Sequence, residues 1–562
     1  MKLHRLKILT GFRGLAPGFE IRFNSSVEQS ALLEPICFVG LNGSGKSNVL
    51  EVLSEIFYYL ETYHLADRSD LSSYKAKFGF EIEYSLPKIT FEMARVPWPE
   101  LSEVWQKQDK NPVFKISKQK NKFPEISASF GNKKYIFKNK DNNRNIGVLP
   151  ARVIGYSSGM NELISNPFIK MDFHYLDAFE EHSGESSHST LDMNRMFFMD
   201  YDSNKLITIC NFLFDVKGYR SQDYALSSNI RDFGGKDLSL LKETLGIQDL
   251  HSFSISLHLR DSGNKPIDLP SELNITIDNL KKCATCFEEK FIPSKSKGDR
   301  RVIELYFWVN KATKKAFRYY FKRASALYRQ LYFLRLLNNY LISKSLRKKI
   351  KKVGLGFNIS SSIPRHEEQQ LVFTVKDIAL KKTGVKKPVY YQQLSDGEHQ
   401  LLHILGTIIL MDTPGTLFIL DEPETHFNPE WRSKFVSYLN NSLGGEDKSR
   451  EQEIILTSHS PFIVSDCKPD KVFSFYRKEK NNRVAYKQPD FNTFGASVNL
   501  IMMKVFDKQE TISGLAQSEF ERIRNLYAHG QIDSNQATKE VSKLGDSIEK
   551  TIFLSSLSNG SN

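Results

Sequence analysis

The sequence lacks long apolar runs. None approaches the ~18 residues that a membrane-spanning helix needs. The first 20 residues are interrupted by Lys2, Arg5, Lys7 and Arg13, whereas a secretory signal needs an unbroken apolar region. We therefore expect a cytoplasmic protein without a membrane partner, and its 562 residues suffice for two or three domains with real cores.

Cysteine is also scarce. Five scattered cysteines are too few for a disulfide framework. Cys283 and Cys286 have the CxxC spacing of half a zinc site, but no second CxxC and no His pair follows them. A structural role is the favoured interpretation of this pair, and any other role stays open.

Acidic residues are missing from one long stretch, Leu305 to His366, which we call the basic segment (305–366). Its 62 residues hold 15 Lys and Arg, whereas the whole chain carries a net charge of +13. A solvated helix face is one interpretation, but such a face would mix the two signs. The composition favours a polyanionic partner, and nucleic acid is the expected one.

A glycine-rich loop follows the apolar stretch 35–39 and precedes an amphipathic pattern from Asn48 to Thr62. In this strand–loop–helix setting, backbone N–H groups can wrap phosphates at a helix N-terminus. Lys46 would place its charge on the β- and γ-phosphates of ATP, and the Ser47 hydroxyl would bind Mg²⁺. The predicted nucleotide-binding residues here are Gly40, Asn42, Gly43, Ser44, Gly45, Lys46, Ser47 and Asn48.

Asp421 and Glu422 follow the apolar stretch 417–420, which reads as a buried parallel strand. Ligands of α/β sheets bind at the carboxyl ends of such strands. Asp421 is the second predicted Mg²⁺ ligand, and Glu422 is the predicted general base that orients or deprotonates the attacking water. His459 ends a further apolar strand (454–456), from which it can reach the γ-phosphate, so Lys46, Glu422 and His459 are the predicted catalytic residues.

The stretch from Leu394 to Gln400 reads LSDGEHQ and resembles the signature sequence of ABC-type ATPases. Ser395 and the backbone N–H of Gly397 could donate to γ-phosphate oxygens at a helix N-terminus, and Glu398 completes the predicted contact set. In the ABC arrangement, each signature faces the phosphate loop of another protomer. The resemblance therefore implies a head-to-tail homodimer, or a higher oligomer, with ATP at the interfaces.

Periodicity divides the chain into four parts. Residues 1–165 would form the N-terminal half of an ATPase head, including an antiparallel β lobe. Residues 166–369 read as a helical insertion that contains the basic segment, and Val309–Ile350 predicts one or two long helices. Residues 370–495 would return to the head, and 496–562 read as helices with a disordered tail. The predicted fold class is α/β.

The order of these motifs resembles the SMC-like branch of ABC ATPases, in which a large insertion separates the phosphate loop from the signature. Here Lys46 and Ser395 are 349 residues apart. By the same resemblance, Gly11–Gly14 is the opening element of the head, and its Arg13 reaches the nucleotide. The stretch Tyr156–Glu162 resembles the strand and turn that replace the Q-loop in defence ATPases, although it contains no Gln.

Three further stretches are similar to PtuA, the ATPase family of Septu-type anti-phage systems and of some retrons. They are 423–429 (PETHFNP), 457–462 (TSHSPF) and 494–506 (FGASVN with VF). The resemblance implies a sensor and regulator that controls a separate HNH nuclease of the PtuB type. In a retron, a reverse transcriptase and its RNA–DNA product would join, and that nucleic acid would dock on the basic segment.

Two other functions stay open. A DNA-repair or chromosome ATPase of the SMC-like branch would carry the same head motifs. An OLD-type fusion of ATPase and nuclease would need a C-terminal acidic metal cluster. Only isolated aspartates follow His459, with no DxD pair, which disfavours the fusion.

Overall fold

The computed structural model describes most of the chain. The described residues are 1–23, 33–65, 78–87, 111–130, 133–137, 148–159, 162–182, 194–215, 238–260, 267, 269–293, 300–354, 358–443, 451–508 and 512–559. The strands within them, numbered in chain order, are β1 (Lys2–Ile8), β2 (Glu20–Arg22), β3 (Ile36–Gly40), β4 (Phe80–Ser85), β5 (Val113–Lys118), β6 (Glu125–Phe130), β7 (Lys133–Phe137), β8 (Arg152–Ser157), β9 (Met196–Phe198), β10 (Ile247–Leu259), β11 (Cys286–Ile292), β12 (Arg300–Trp308), β13 (Phe373–Lys382), β14 (Val389–Tyr390), β15 (Thr416–Asp421), β16 (Glu453–Thr457), β17 (Val472–Arg477) and β18 (Val484–Lys487).

The α-helices are numbered in the same way. They are α1 (Lys46–Leu65), α2 (Glu162–His182), α3 (Tyr201–Leu213), α4 (Ser239–Leu245), α5 (Ser271–Cys283), α6 (Lys311–Phe321), α7 (Ala324–Leu336), α8 (Lys344–Lys352), α9 (Asp396–Leu410), α10 (Pro429–Ser442), α11 (Pro461–Ser465), α12 (Val498–Lys504), α13 (Gly514–Ala528), α14 (Ser534–Ser542) and α15 (Ile548–Asn559).

The central sheet confirms the predicted α/β class. Its order is β18-β17-β3-β16-β15-β8-β9, and all neighbours are parallel except β17 and β18. Strands β3, β15 and β16 are buried along their whole length, so their near-continuous apolar sequence is explained by cover on both faces. Because β3, β16 and β15 are parallel neighbours, the phosphate loop, His459 and Asp421 meet at one edge of the sheet.

The predicted antiparallel lobe is present. A six-stranded antiparallel sheet has the order β2-β1-β4-β5-β6-β7. The predicted hairpin is formed by β6 and β7, while its turn residues, Gly131 and Asn132, lie outside the described residues.

The expectation of a helical insertion is corrected by a second antiparallel sheet, with the order β11-β12-β10-β13-β14. Odd-numbered residues from Phe253 to Leu259 are apolar and alternate with Ser or His, which is the period of a strand. The partner strand β13 begins more than 100 residues after β10, so no local signal revealed the pairing. Strand β13 falls in the part of the chain that the sequence assigned to the head.

The basic segment is also divided more finely than predicted. Three short helices, α6, α7 and α8, replace the one or two long helices expected over Val309–Ile350. Their breaks occur at Lys322, which has a φ of 63°, and at the 3₁₀ turn Leu337–Leu341. Neither break contains Gly or Pro. The prediction of long helices relied on the absence of these two residue types, so it could not detect the breaks.

Most buried apolar residues of the head and the insertion belong to one continuous core, and a small separate cluster contains Phe173, Ile342, Ile350 and Ile359. The C-terminal helices α13, α14 and α15 share a separate small core around Phe520, Ile523 and Val541. No helix in the described part of the chain is long and apolar enough to cross a membrane.

Candidate functional site

The phosphate loop connects β3 to α1, as predicted. At Gly40 the φ is 136°, and a Cβ there would lie 2.3 Å from the carbonyl oxygen of Phe475. At Gly45 the φ is 106°, and a Cβ would lie 2.7 Å from a methyl group of Val484. Both positions therefore require glycine, because the neighbouring strands β17 and β18 cover the loop closely.

Lys46 lies at the start of α1 with its ammonium group against the loop. Its Nζ donates to the carbonyl oxygens of Gly40 at 2.8 Å and Leu41 at 3.2 Å, and it lies 3.1 Å from Nε2 of His459. Burial lowers the pKa of Lys46, while the carboxylates of Glu422 and Asp421 oppose that shift. The structure thus brings together two of the three predicted catalytic residues.

Ser47 and Asp421 form the candidate Mg²⁺ site. The Ser47 hydroxyl donates to Oδ1 of Asp421 at 3.1 Å. The Thr457 hydroxyl donates to the same oxygen at 2.7 Å and so fixes the carboxylate at the end of β15. A hydroxyl and a carboxylate are the oxygen ligands that Mg²⁺ prefers when phosphates and waters supply the rest, so these residues fit the ion.

Glu422, the predicted general base, has unusual backbone geometry. Its φ is 49°, a left-handed conformation that costs about 1–3 kcal/mol in a residue with a side chain. Its N–H donates to the Thr457 hydroxyl at 2.9 Å, and its Oε1 lies 3.3 Å from Nε2 of His459. The hydrogen bond with His459 lowers the pKa of Glu422, which keeps the carboxylate ionised and able to accept a proton from water.

The signature lies at the N-terminus of α9. Ser395 is the N-cap: its hydroxyl accepts from the Glu398 N–H at 3.3 Å and donates to the Glu398 carboxylate at 3.1 Å. Ser395 is exposed, whereas Gly397 is buried, and a Cβ at Gly397 would lie 2.7 Å from the carbonyl oxygen of His426. Glu398, which is also a predicted nucleotide contact, forms an ion pair with Lys382 and completes the capping box.

Gln400 links the signature helix to the acidic strand, a role that the sequence analysis missed. Its amide nitrogen donates to the Tyr156 hydroxyl at 3.0 Å, and its amide oxygen accepts from the His426 N–H at 3.0 Å. The signature helix is therefore tied both to the end of β8 and to the loop that follows Glu422. No Gln was found in the Q-loop-like stretch, of which Met160 and Asn161 lie outside the described residues.

The remaining predicted nucleotide contacts lie around the loop. Arg13 has a φ of 47°, and its Nε lies 2.5 Å from the Glu51 carboxylate on α1. A Cβ at Gly14 would lie 2.9 Å from the side-chain amide of Asn48, which places the opening element beside the start of α1. Asn42 and Gly43 are exposed at the tip of the loop, and Ser44 is buried.

Two further side chains, neither of them a predicted site residue, also shape the site. Arg477 at the end of β17 donates from Nε to the Gly43 carbonyl at 2.7 Å. Glu424 is buried behind Glu422 and accepts a hydrogen bond from the Ser458 hydroxyl, and burial raises the pKa of Glu424 to about 7. Arg477 lies in a stretch with no motif, and the parallel pairing of β17 with β3 brings it to the loop.

The CxxC pair shows no metal site. Cys283 is buried and Cys286 is exposed at the start of β11. Within the described ranges, no group of three or more His, Cys, Asp or Glu residues is placed to hold a metal ion.

Three comparisons with known proteins bear on this arrangement. Residues 287–465 match the model of an AAA-domain family described as "putative AbiEii toxin, Type IV TA system". This match contains the signature, the acidic strand and His459, and the phosphate loop lies outside it. The match to an AAA-domain family supports an ATPase domain in this chain.

The other two likenesses are more distant. "Protein ea59" of Escherichia phage lambda is 25% identical over 150 residues, which is 27% of this chain and 27% of the relative. A solved structure, described as the SmcHead bound to the C-winged helix domain of ScpA, covers 87% of this chain and 98% of its own. Its sequence identity is 10% and its TM-score is 0.31.

Proposed function

We propose that this chain is an ATP-binding and ATP-hydrolysing regulatory subunit of an anti-phage defence complex, which controls a partner HNH nuclease. The observation that carries the ATPase is the cluster at the sheet edge. Nε2 of His459 lies 3.1 Å from Nζ of Lys46 and 3.3 Å from Oε1 of Glu422, so the imidazole joins the cation to the carboxylate. One cluster therefore offers a cation for the phosphates and a base for the water.

Ser47 and Asp421 would hold Mg²⁺, which would supply positive charge to neutralise the phosphates. Lys46 binds the β- and γ-phosphates as a point charge at the N-terminus of α1. Glu422 orients the attacking water and accepts its proton, while His459 contacts the γ-phosphate from the neighbouring strand. The strained backbone of Glu422 holds its carboxylate in one direction, because Thr457 fixes the Glu422 N–H.

The active unit in this proposal is a head-to-tail dimer. Ser395 is exposed at a helix N-terminus, where its hydroxyl and nearby N–H groups can meet an anion. Gln400 hydrogen-bonds the loop after Glu422. Binding of the signature to a second protomer's ATP would therefore change the position of Glu422, the proposed base. ATP then lies at the interface and holds the two chains together.

Mixing two inactive variants tests this arrangement. Lys46→Ala removes the phosphate-loop cation, and Ser395→Arg blocks the signature, so each variant alone should hydrolyse no ATP. The two variants carry different affinity tags and are co-expressed. The unselected mixture should regain about a quarter of the wild-type rate, because half of the dimers are mixed and each mixed dimer has one intact site. If Ser395 served its own chain's phosphate loop, the mixture would stay inactive.

The defence role rests on the resemblance to the PtuA family and on the similarity of residues 287–465 to the family described as "putative AbiEii toxin, Type IV TA system". The nuclease belongs to another chain in this proposal. The described residues contain no metal-binding group that could serve an OLD-type nuclease. A retron reverse transcriptase and its RNA–DNA product are the proposed further partners.

Co-purification from the native operon tests the partner. A tagged chain should carry an HNH nuclease at fixed stoichiometry, and Lys46→Ala should abolish protection in a phage plating assay while leaving expression unchanged. A chain that purifies without a nuclease, protects against no phage and instead sensitises cells to DNA damage when deleted would favour the repair or chromosome alternative.

A further inference from the structure

The basic segment contains two kinds of cation, which the structure separates. One kind faces the protein and has an anionic or carbonyl partner from a distant part of the chain. Its members and partners are Lys314 with Asp249, Arg318 with the carbonyl of Asp215, Arg329 with Glu272, Arg335 with Asp200, and both Arg347 and Lys351 with Asp177. These cations are used for folding, so they should not be counted toward a nucleic-acid surface.

The second kind includes a stripe along α6. Lys311, Lys315 and Tyr319 are exposed and recur at intervals of four residues, which places them on one face of α6, and the exposed Lys322 follows at the C-cap of the helix. For the three lysines the described residues supply no ion-pair partner. The opposite face of α6 is buried, with the Phe317 ring 5.5 Å from that of Phe307 on the insertion sheet. The helix is thus anchored by one face and presents the other to solvent.

Tyr319 is the unusual member of this stripe. It is 76% exposed, although its ring is large and apolar. It contacts Tyr320 edge-on at 5.0 Å, and Tyr320 lies under the Lys282 ammonium at 5.4 Å. Tyr319 therefore offers an open aromatic face between Lys315, one turn before it, and Lys322, three residues after it at the C-cap.

We propose that the face of α6 formed by Lys311, Lys315 and Tyr319, together with Lys322 at its C-cap, binds single-stranded nucleic acid. The three lysines would contact successive phosphates, and an unpaired base would stack on the Tyr319 ring. The stripe is about 16 Å long at 1.5 Å per residue, so it contacts a short stretch of strand. This inference rests on the nucleic-acid partner in the proposed function and names its form and its place.

A second cationic face, on α8, supplies the contrast. Lys344, Lys348, Lys349 and Lys352 are exposed there, and α8 itself contains no aromatic residue. Such a face can attract any polyanion but cannot distinguish unpaired bases from a duplex. Of these two faces, only that of α6 joins cations to an exposed ring, and duplex DNA hides its base faces from such a ring.

The test uses the full-length protein and fluorescein-labelled 20-mers of single-stranded DNA, single-stranded RNA and duplex DNA. Anisotropy titrations at several salt concentrations give affinity and salt slope. Tyr319→Ala should weaken single-strand binding about 5- to 150-fold and leave duplex binding unchanged, whereas Tyr319→Phe should bind as the wild type does. Changing Lys311, Lys315 and Lys322 together to Glu should weaken binding and lower the salt slope by about three.

The matched control changes Lys344, Lys348 and Lys352 to Glu, with the same charge difference, and should retain the preference for single strands. Unchanged single-strand affinity in Tyr319→Ala, or in the α6 triple variant, would overturn the inference. ATP hydrolysis and the mixed-variant assay are measured on the same preparations. Normal ATPase behaviour without single-strand binding would refute the α6 site alone, whereas loss of ATPase rescue in the mixture would count against the proposed function.

Discussion

The nucleotide site and the basic segment both concentrate charge, but they neutralise it in different ways. At the nucleotide site, Lys46 and Glu422 both contact the imidazole of His459. In the basic segment, cations such as Arg335 and Lys314 each have a separate anion contributed by a remote element. The first arrangement keeps charges together for a ligand, while the second uses charges to hold helices to a sheet.

This difference separates two kinds of inference from composition. A cluster whose charged groups contact each other can be recognised from the position of its residues at the ends of apolar strands, because short strands and a tight loop fix its geometry. A run of like charge has no such signature, because its partners can lie anywhere in the chain. Variants at the two sites should therefore differ in kind: loss of function at the nucleotide site, and loss of stability or of binding in the basic segment.

The largest effect should come from Lys46→Ala. Removing the only side-chain cation that contacts both the phosphate loop and His459 in the described structure should abolish ATP binding and, with it, hydrolysis. Isothermal titration with ATP and a coupled phosphate-release assay measure the two losses. Lys348→Ala removes an exposed lysine from α8 and serves as the control, with ATP binding at the wild-type level.

Glu422→Gln should separate binding from chemistry. The amide cannot accept the proton of water, so the rate of hydrolysis should fall about 10²- to 10⁴-fold while ATP still binds. Size-exclusion chromatography with ATP should then show a long-lived dimer. Glu430→Gln, at an exposed glutamate on the neighbouring helix, should hydrolyse ATP normally. A normal rate in Glu422→Gln would remove Glu422 from the role of base.

Glu424→Gln should change the pH dependence of stability. The folded-state pKa of Glu424 is about 7 because the carboxyl is buried, compared with an ordinary value of 4.5. A raised acidic pKa stabilises the fold at pH below 4.5, and that stability is lost as pH rises through 7. The variant should match the wild type near pH 4.5 and exceed its unfolding free energy by up to about 3 kcal/mol at pH 8. Thermal unfolding across this range measures the difference, and parallel profiles for the two proteins would contradict it.

The sequence predicted the head far better than the insertion, for physical reasons. The phosphate loop, Asp421, Glu422 and His459 each follow directly on an apolar strand, so local order was enough to place them at one sheet edge. Thr457, Gln400 and Arg477 were missed because their roles depend on which strands and helices become neighbours. The insertion sheet was missed for the same reason, since β10 pairs with β13 across more than 100 residues.

A smaller effect should come from Arg335→Ala, which tests the basic segment's side of the contrast. Arg335 donates to both oxygens of Asp200, at 3.1 and 2.6 Å, and so ties α7 to the N-cap of α3. Asp200 is 40% exposed, and water can partly replace the lost bonds, so we expect a destabilisation of about 2 kcal/mol. For a chain of 562 residues this corresponds to a fall of about 2 °C in the melting temperature.

Lys348→Ala removes the same sign of charge from the same segment but should leave the melting temperature within about 1 °C of the wild type, because exposed lysines contribute little to stability. Equal melting temperatures for Arg335→Ala and Lys348→Ala would show that inward and outward cations of the segment are equivalent. The distinction between folding charges and binding charges would then fail. A difference of about 2 °C, with ATP hydrolysis unchanged in Lys348→Ala, would instead support counting only the outward lysines toward a nucleic-acid surface.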